Sequence, residues 1–119
     1  MTDRLREILR VRQTSDKLRR RWWACARMDL YVWQNPAHEI SAFEICYNKP
    51  HQERSLRWGA EHGFSHSAID DGEATAFDQR TPIAVPSRDL RQADVAAHFE
   101  AAGADVEPYI YRRILSLLL

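Results

Sequence analysis

Hydrophobic residues alternate with polar ones through the middle of the chain and recur every third or fourth position toward its end, so strands are expected centrally and helices terminally. Leu30, Tyr31, Val32 and Trp33 suit a strand over 28–33, which Gln34-Asn35-Pro36 stops. A second strand is predicted over 40–47, a third over 55–59, where Leu56 and Trp58 alternate with Ser55 and Arg57, and a fourth over 64–69. Asp70-Asp71-Gly72-Glu73 is a reverse-turn sequence. Short connections between successive strands make an antiparallel meander. The segment 82–86, with a proline at each end, suits a sheet edge or an extended connector.

Outside the meander the period changes. Leu5, Ile8 and Leu9 share a face of a helix predicted over 3–12, and Thr14-Ser15-Asp16 ends it or caps a further turn or two. Val95, Phe99 and Ala102 line a helix over 88–102, with Asp89 and Gln92 as a capping box and Gly103 after its end. Asp105 is placed to cap a last helix with Pro108 in its first turn. Neither period dominates in 13–27 or 74–81. The expected fold is α+β: a four-stranded antiparallel meander with an N-terminal helix and two C-terminal helices packed on one face, residues 1–119 forming a single domain.

Alternation also assigns faces. Phe43, Ile45, Leu56 and Trp58 mark the side where helices pack. The first strand is apolar on both sides, Leu30 and Val32 on one, Tyr31 and Trp33 on the other. If the aromatic pair looks outward, it shares an outer face with Glu44, Cys46 and Arg57. The reading taken first is that the C-terminal helix covers this face. The alternatives are a protein-binding surface, since aromatic residues and Arg favour interfaces, and a small-molecule pocket. Tyr31, Trp33, Glu44, Arg57 and His66 are the candidate ligand or partner residues.

Composition narrows the class. With 45% apolar and 29% charged residues among 119, the chain is long enough to bury one core and too balanced for disorder. Its zero net charge is unevenly placed: residues 1–21 hold eight Arg or Lys and three acids, and 61–107 hold ten acids and three Arg. The basic end is expected to lie over the acidic half, in the same chain or in a dimer partner. The apolar run 114–119 is far short of the ~20 residues that cross a bilayer, so no membrane is expected. Cys25 and Cys46 form no CxxC motif and fit a reducing cytoplasm.

Candidate chemistry concentrates between Glu61 and Glu73, where His62, His66, Asp70 and Asp71 suggest a metal- or histidine-dependent hydrolase as the enzyme alternative. On a strand, however, His62 and His66 stand roughly 13 Å apart at about 3.3 Å per residue, too far for one ion. Ser65 and Ser67 lie beside His66 without a nucleophile elbow, and in a simple meander Cys46 is separated from His66 by the third strand. The expectation is therefore no catalytic residue, metal or cofactor. Arg19, Arg20 and Arg21 followed by Trp22 and Trp23 combine charge with stacking groups, as single-strand binders do. The favoured reading is instead that the tryptophans pack and the arginines lie on the surface. A non-catalytic binding module for a protein partner is the expected function, with nucleic acid less favoured.

Three stretches carry a resemblance: Asp29-Leu30-Tyr31-Val32-Trp33, Phe43-Glu44-Ile45-Cys46-Tyr47-Asn48-Lys49, and Arg54-Ser55-Leu56-Arg57-Trp58. Together with Gly63-Phe64-Ser65-His66 and Asp70-Asp71-Gly72-Glu73, they resemble a group of small bacterial proteins of unknown function. The likeness spans about residues 22–73. It implies a bacterial cytosolic origin and supplies no activity or site residue. The last helix adds one expectation. Ile110, Ile114 and Leu117 form one stripe and Tyr111, Leu115 and Leu118 another beside it, and a second stripe calls for a partner, so a homodimer is expected.

Overall fold

The computed structural model describes residues 3–49, 53–68 and 88–119, with only the backbone of 67, 68 and 88–91. Six strands run in order β1 (Arg6–Ile8), β2 (Arg19–Ala24), β3 (Asp29–Gln34), β4 (Ile40–Tyr47), β5 (Arg54–Gly59) and β6 (Gly63–Ala68). All neighbours pair antiparallel in one meander. Helix α1 (Arg88–Ala102), a 3₁₀ turn (Gly103–Asp105) and helix α2 (Pro108–Leu118) follow.

The fold is α+β, as expected, but the four-stranded sheet with an N-terminal helix is wrong in two elements. The stretch predicted as a helix over 3–12 contains β1, and the unassigned stretch 13–27 contains β2. A ten-residue helix is marginal alone, and Arg6 and Arg10, four apart, would repel along its surface. The extended form gains more. Leu5 is fully buried and its N–H donates to the Ala102 carbonyl at 2.9 Å, while Arg6, Glu7 and Ile8 pair with Ala24, Trp23 and Trp22. Leu9, predicted on the buried face, is 84% exposed. Ser15 Oγ accepts the N–H groups of Lys17 and Leu18, so the predicted cap makes a turn leading into β2 rather than a helix.

Strands β3 to β6 lie where alternation places them. Across the sheet, Trp23, Leu30, Ile45, Leu56 and His66 stand in one row, and Arg21, Val32, Phe43, Trp58 and Phe64 in the next. These rows share one face with Val95, Phe99, Ile110, Ile114 and Leu118 of the helices, and the buried members form a single apolar core. The β5–β6 hairpin closes through the His62 N–H to the Gly59 carbonyl, followed by Gly63 at φ 75°, a left-handed position that glycine occupies without strain.

The C-terminal elements differ in their caps. Gly103 opens a 3₁₀ turn, and its neighbour Val106 closes that turn by donating to the Gly103 carbonyl. The N-cap of α2 is Glu107, not Asp105, and no side chain caps it, although Pro108 does occupy the first turn. The Asp89 side chain, the 70–73 turn and the 82–86 segment lie outside the described residues.

Candidate functional site

The face opposite the helices carries a row of aromatic residues. β2 contributes Trp22, and β3 contributes Tyr31 and Trp33, each half-buried. Trp22 and Tyr31 stack with centroids 5.6 Å apart and planes 13° from parallel, and Tyr31 meets Trp33 at 6.3 Å and 30°. The Arg57 guanidinium lies 5.9 Å from the Trp33 ring centre and ends the ladder. The sheet's register explains the arrangement: Trp22, Tyr31, Glu44, Arg57 and Ser65 stand opposite one another on five successive strands.

Polar groups fix the ladder from both ends. The Trp22 indole N–H donates to Asp29 at 3.1 Å, and Asp29 also holds Lys49 at 2.9 Å. Glu44 accepts the Ser55 hydroxyl at 2.5 Å and lies 3.8 Å from Arg57. Burial and the nearby carboxylates of Asp29 and Glu44 raise the Tyr31 phenol above its ordinary value, so it stays a neutral donor. The Asp29 and Glu44 carboxylates are thus engaged, while the Arg57 side chain is 60% exposed.

Four of the five candidate residues therefore come together: Tyr31, Trp33, Glu44 and Arg57. The expectation that the C-terminal helix covers this face is overturned, because α1 and α2 pack on the other side, in the core with Leu30 and Phe43. His66 does not belong with the four. Register places it opposite Leu56, so it points into the core, 4% exposed, where it stacks on Tyr47 and hydrogen-bonds the Tyr47 hydroxyl through Nε2. Trp22 is the residue the pattern did not nominate for this face. Had 19–24 been read as a strand, alternation would have set it opposite Trp23.

Alternation also divides the basic–aromatic run. Arg21 and Trp23 face the core side. Arg21 makes a two-pronged pair with Glu7 at 2.9 and 3.0 Å, reaches Glu107 at 3.1 Å, and lies 4.7 Å from the ring centre of Trp23, itself fully buried. Arg20 and Trp22 face outward, and Arg20 donates to the Arg12 carbonyl at 2.7 Å. The run Arg19 to Trp23 is consequently not one surface. The basic end does meet acids of its own chain: Arg4 lies 4.0 Å from Asp105, and Arg21 joins Glu107.

Nucleophile chemistry finds no geometry among the described residues. Cys46 is on the outer side and His66 on the inner. Burial, with Glu44, Glu53 and Asp29 around it, pushes the Cys46 thiol up to about 12, which keeps it protonated and weakly nucleophilic. His62 is exposed in the hairpin turn, away from buried His66. No group of three metal-ligating side chains converges among the described residues, and Asp70 and Asp71 lie outside them. No helix among the described residues is long and apolar enough to cross a membrane. No protein-family model matches the chain, and neither do any curated protein sequences or solved structures.

Proposed function

We propose that the protein is a non-catalytic binding module that receives a protein partner on the Trp22–Tyr31–Trp33–Arg57 face. The ladder itself carries the reading: three half-buried aromatic residues and an exposed arginine on a sheet face that the helices leave to the other side. Trp, Tyr and Arg dominate binding energy at protein interfaces, Trp and Tyr because they bury large area with little loss of side-chain freedom, Arg because its planar fork makes several directed hydrogen bonds. Ring geometry favours protein over a nucleic-acid strand. Tyr31 is engaged by Trp22 and Trp33, and Trp33 sits between Tyr31 and Arg57, which leaves a base fewer open ring faces than a single-strand platform offers.

Selection of a displayed random-peptide library against the protein tests this. Enriched peptides are expected to bind at about micromolar Kd and to weaken roughly tenfold or more with Trp33→Ala or Arg57→Ala, in variants that remain folded. Peptides whose binding ignores both substitutions would end the reading.

A second copy of the chain as partner is favoured by one observation: Tyr109 and Leu119 at the two ends of α2 are 47% and 87% exposed. The second stripe of α2 contributes less than its sequence suggests, since Tyr111, Leu115 and Leu117 pack against the chain's own core. Sedimentation distinguishes a dimer from the 13.9 kDa single chain.

A further inference from the structure

One end of the sheet, beyond the helices, holds a cleft of about 300 Å³ between the loop before β2 and the β3–β4 turn. That volume is at the small end of ligand sites. Its wall is unusual in what it leaves unsatisfied. Asn35 Oδ1 already accepts the N–H groups of Ala37 and Glu39, each at 2.9 Å. Ser15 Oγ accepts those of Lys17 and Leu18, and Gln34 Oε1 faces an Arg21 donor at 3.5 Å. Gln13 spends its amide on the backbone of Arg20, accepting at 2.8 Å and donating at 2.9 Å. The wall's side-chain acceptors are thus largely committed to holding its shape.

Its donors are not. Lys17, Arg19 and His38 line the same cleft, and their side chains make no hydrogen bond or ion pair among the described residues. The His38 backbone is in the left-handed region at φ 67°, held there by the Asn35 turn. Asp16 is the one carboxylate lining the cleft, against the two cations Lys17 and Arg19. With its neutral side-chain acceptors engaged and two cations set against the single unengaged carboxylate of Asp16, the wall favours a ligand made of acceptors and negative charge. An arginine fork beside a lysine point charge matches the oxygens of a phosphate better than a single carboxylate.

We infer that this cleft binds the phosphate group of a small phosphate monoester. Site and ligand are independent of the aromatic face, so either proposal can fail without the other. The test is backbone-amide NMR at low ionic strength, titrating inorganic phosphate, glucose 6-phosphate, citrate and an oligothymidylate in turn. Saturable shifts confined to residues 13–19 and 34–38 are expected with inorganic phosphate and more tightly with glucose 6-phosphate. Lys17→Gln with Arg19→Gln should weaken both by about tenfold or more, through loss of two charge-assisted hydrogen bonds. Arg57→Gln on the outer face should change neither. The three positions are exposed, so folding is retained and is checked in the same spectra. Unsaturable shifts, shifts spread equally over the chain's other arginines, indifference to the double substitution, or a response to citrate or oligothymidylate alone would each overturn the proposal.

Discussion

Asp3 shows how much one exposed side chain near the N-terminus can organise. Its two oxygens accept the N–H groups of Ala26 at 2.9 Å and Arg27 at 3.1 Å, closing the β2–β3 turn from outside. The Ala26 N–H is the main reason its carboxyl lies below the ordinary 3.8, and burial opposes it slightly. A folded pKa below the unfolded one stabilises the folded state above the unfolded value, and the benefit disappears as pH falls through the folded value. Wild type should therefore exceed Asp3→Asn in urea midpoint by a constant margin above about pH 5, a margin that shrinks as pH falls past the ordinary 3.8 and closes only below the folded value. A margin independent of pH would show that the charge on Asp3 contributes nothing. Cys46 makes the complementary point at this scale. A buried thiol ringed by carboxylates is a packing residue, and its neighbour Glu44 spends its charge on Ser55 and Arg57.

At the scale of elements, the junction between the helices depends on a missing side chain. A Cβ on Gly103 would stand 2.9 Å from two atoms of the Tyr111 ring, and that ring is stacked on Phe99 at 5.3 Å. With Phe99 buried behind it, the ring has little room to retreat. Gly103→Ala is expected to destabilise the protein by about 1–3 kcal/mol through overpacking, read as a lower urea midpoint with unchanged slope. An unchanged midpoint would show that Tyr111 swings aside freely. The same elements show what alternation along the chain could and could not reveal. β4 to β6 were readable because polar or small residues alternate with apolar ones along them, and β3 because its β-favouring run Leu30-Tyr31-Val32-Trp33 is stopped by Gln34-Asn35-Pro36. β2 was not, because Arg20 and Trp22 face outward while Arg21 and Trp23 face inward, so both sides read alike. β1 is three residues long, and its Leu5–Ile8–Leu9 spacing imitates a helix. The outer face was half legible for the same reason: Tyr31, Trp33, Glu44 and Arg57 follow from β3 to β5, whereas Trp22 needed β2. His66 was misplaced because counting along one strand does not tell which side meets the helices; its pairing with Leu56 does.

Over the whole molecule, the sheet is a partition with different chemistry on its two sides, and β3 contributes to both in alternation. Leu30 and Val32 are fully buried under the helices, and Tyr31 and Trp33 are half-buried on the far side. Stability and binding should therefore separate by face. Phe43 is fully buried, stacked on Trp58 at 5.6 Å and edge-on to Phe64 at 6.2 Å, so Phe43→Ala removes a central aromatic and leaves a cavity against the helices. A loss of about 3–5 kcal/mol is expected, a large share of the roughly 5–15 kcal/mol that holds a domain folded. Trp33→Ala removes a larger aromatic group from the opposite side, where it is only partly buried and its ring contacts are Tyr31 and Arg57. Its cost should be about 1 kcal/mol, the size of one aromatic pair and part of one ring's burial. Urea denaturation of the two variants side by side decides the matter. A Trp33→Ala loss as large as that of Phe43→Ala would mean that the aromatic ladder is a second core rather than a surface, and the binding role assigned to it would fall.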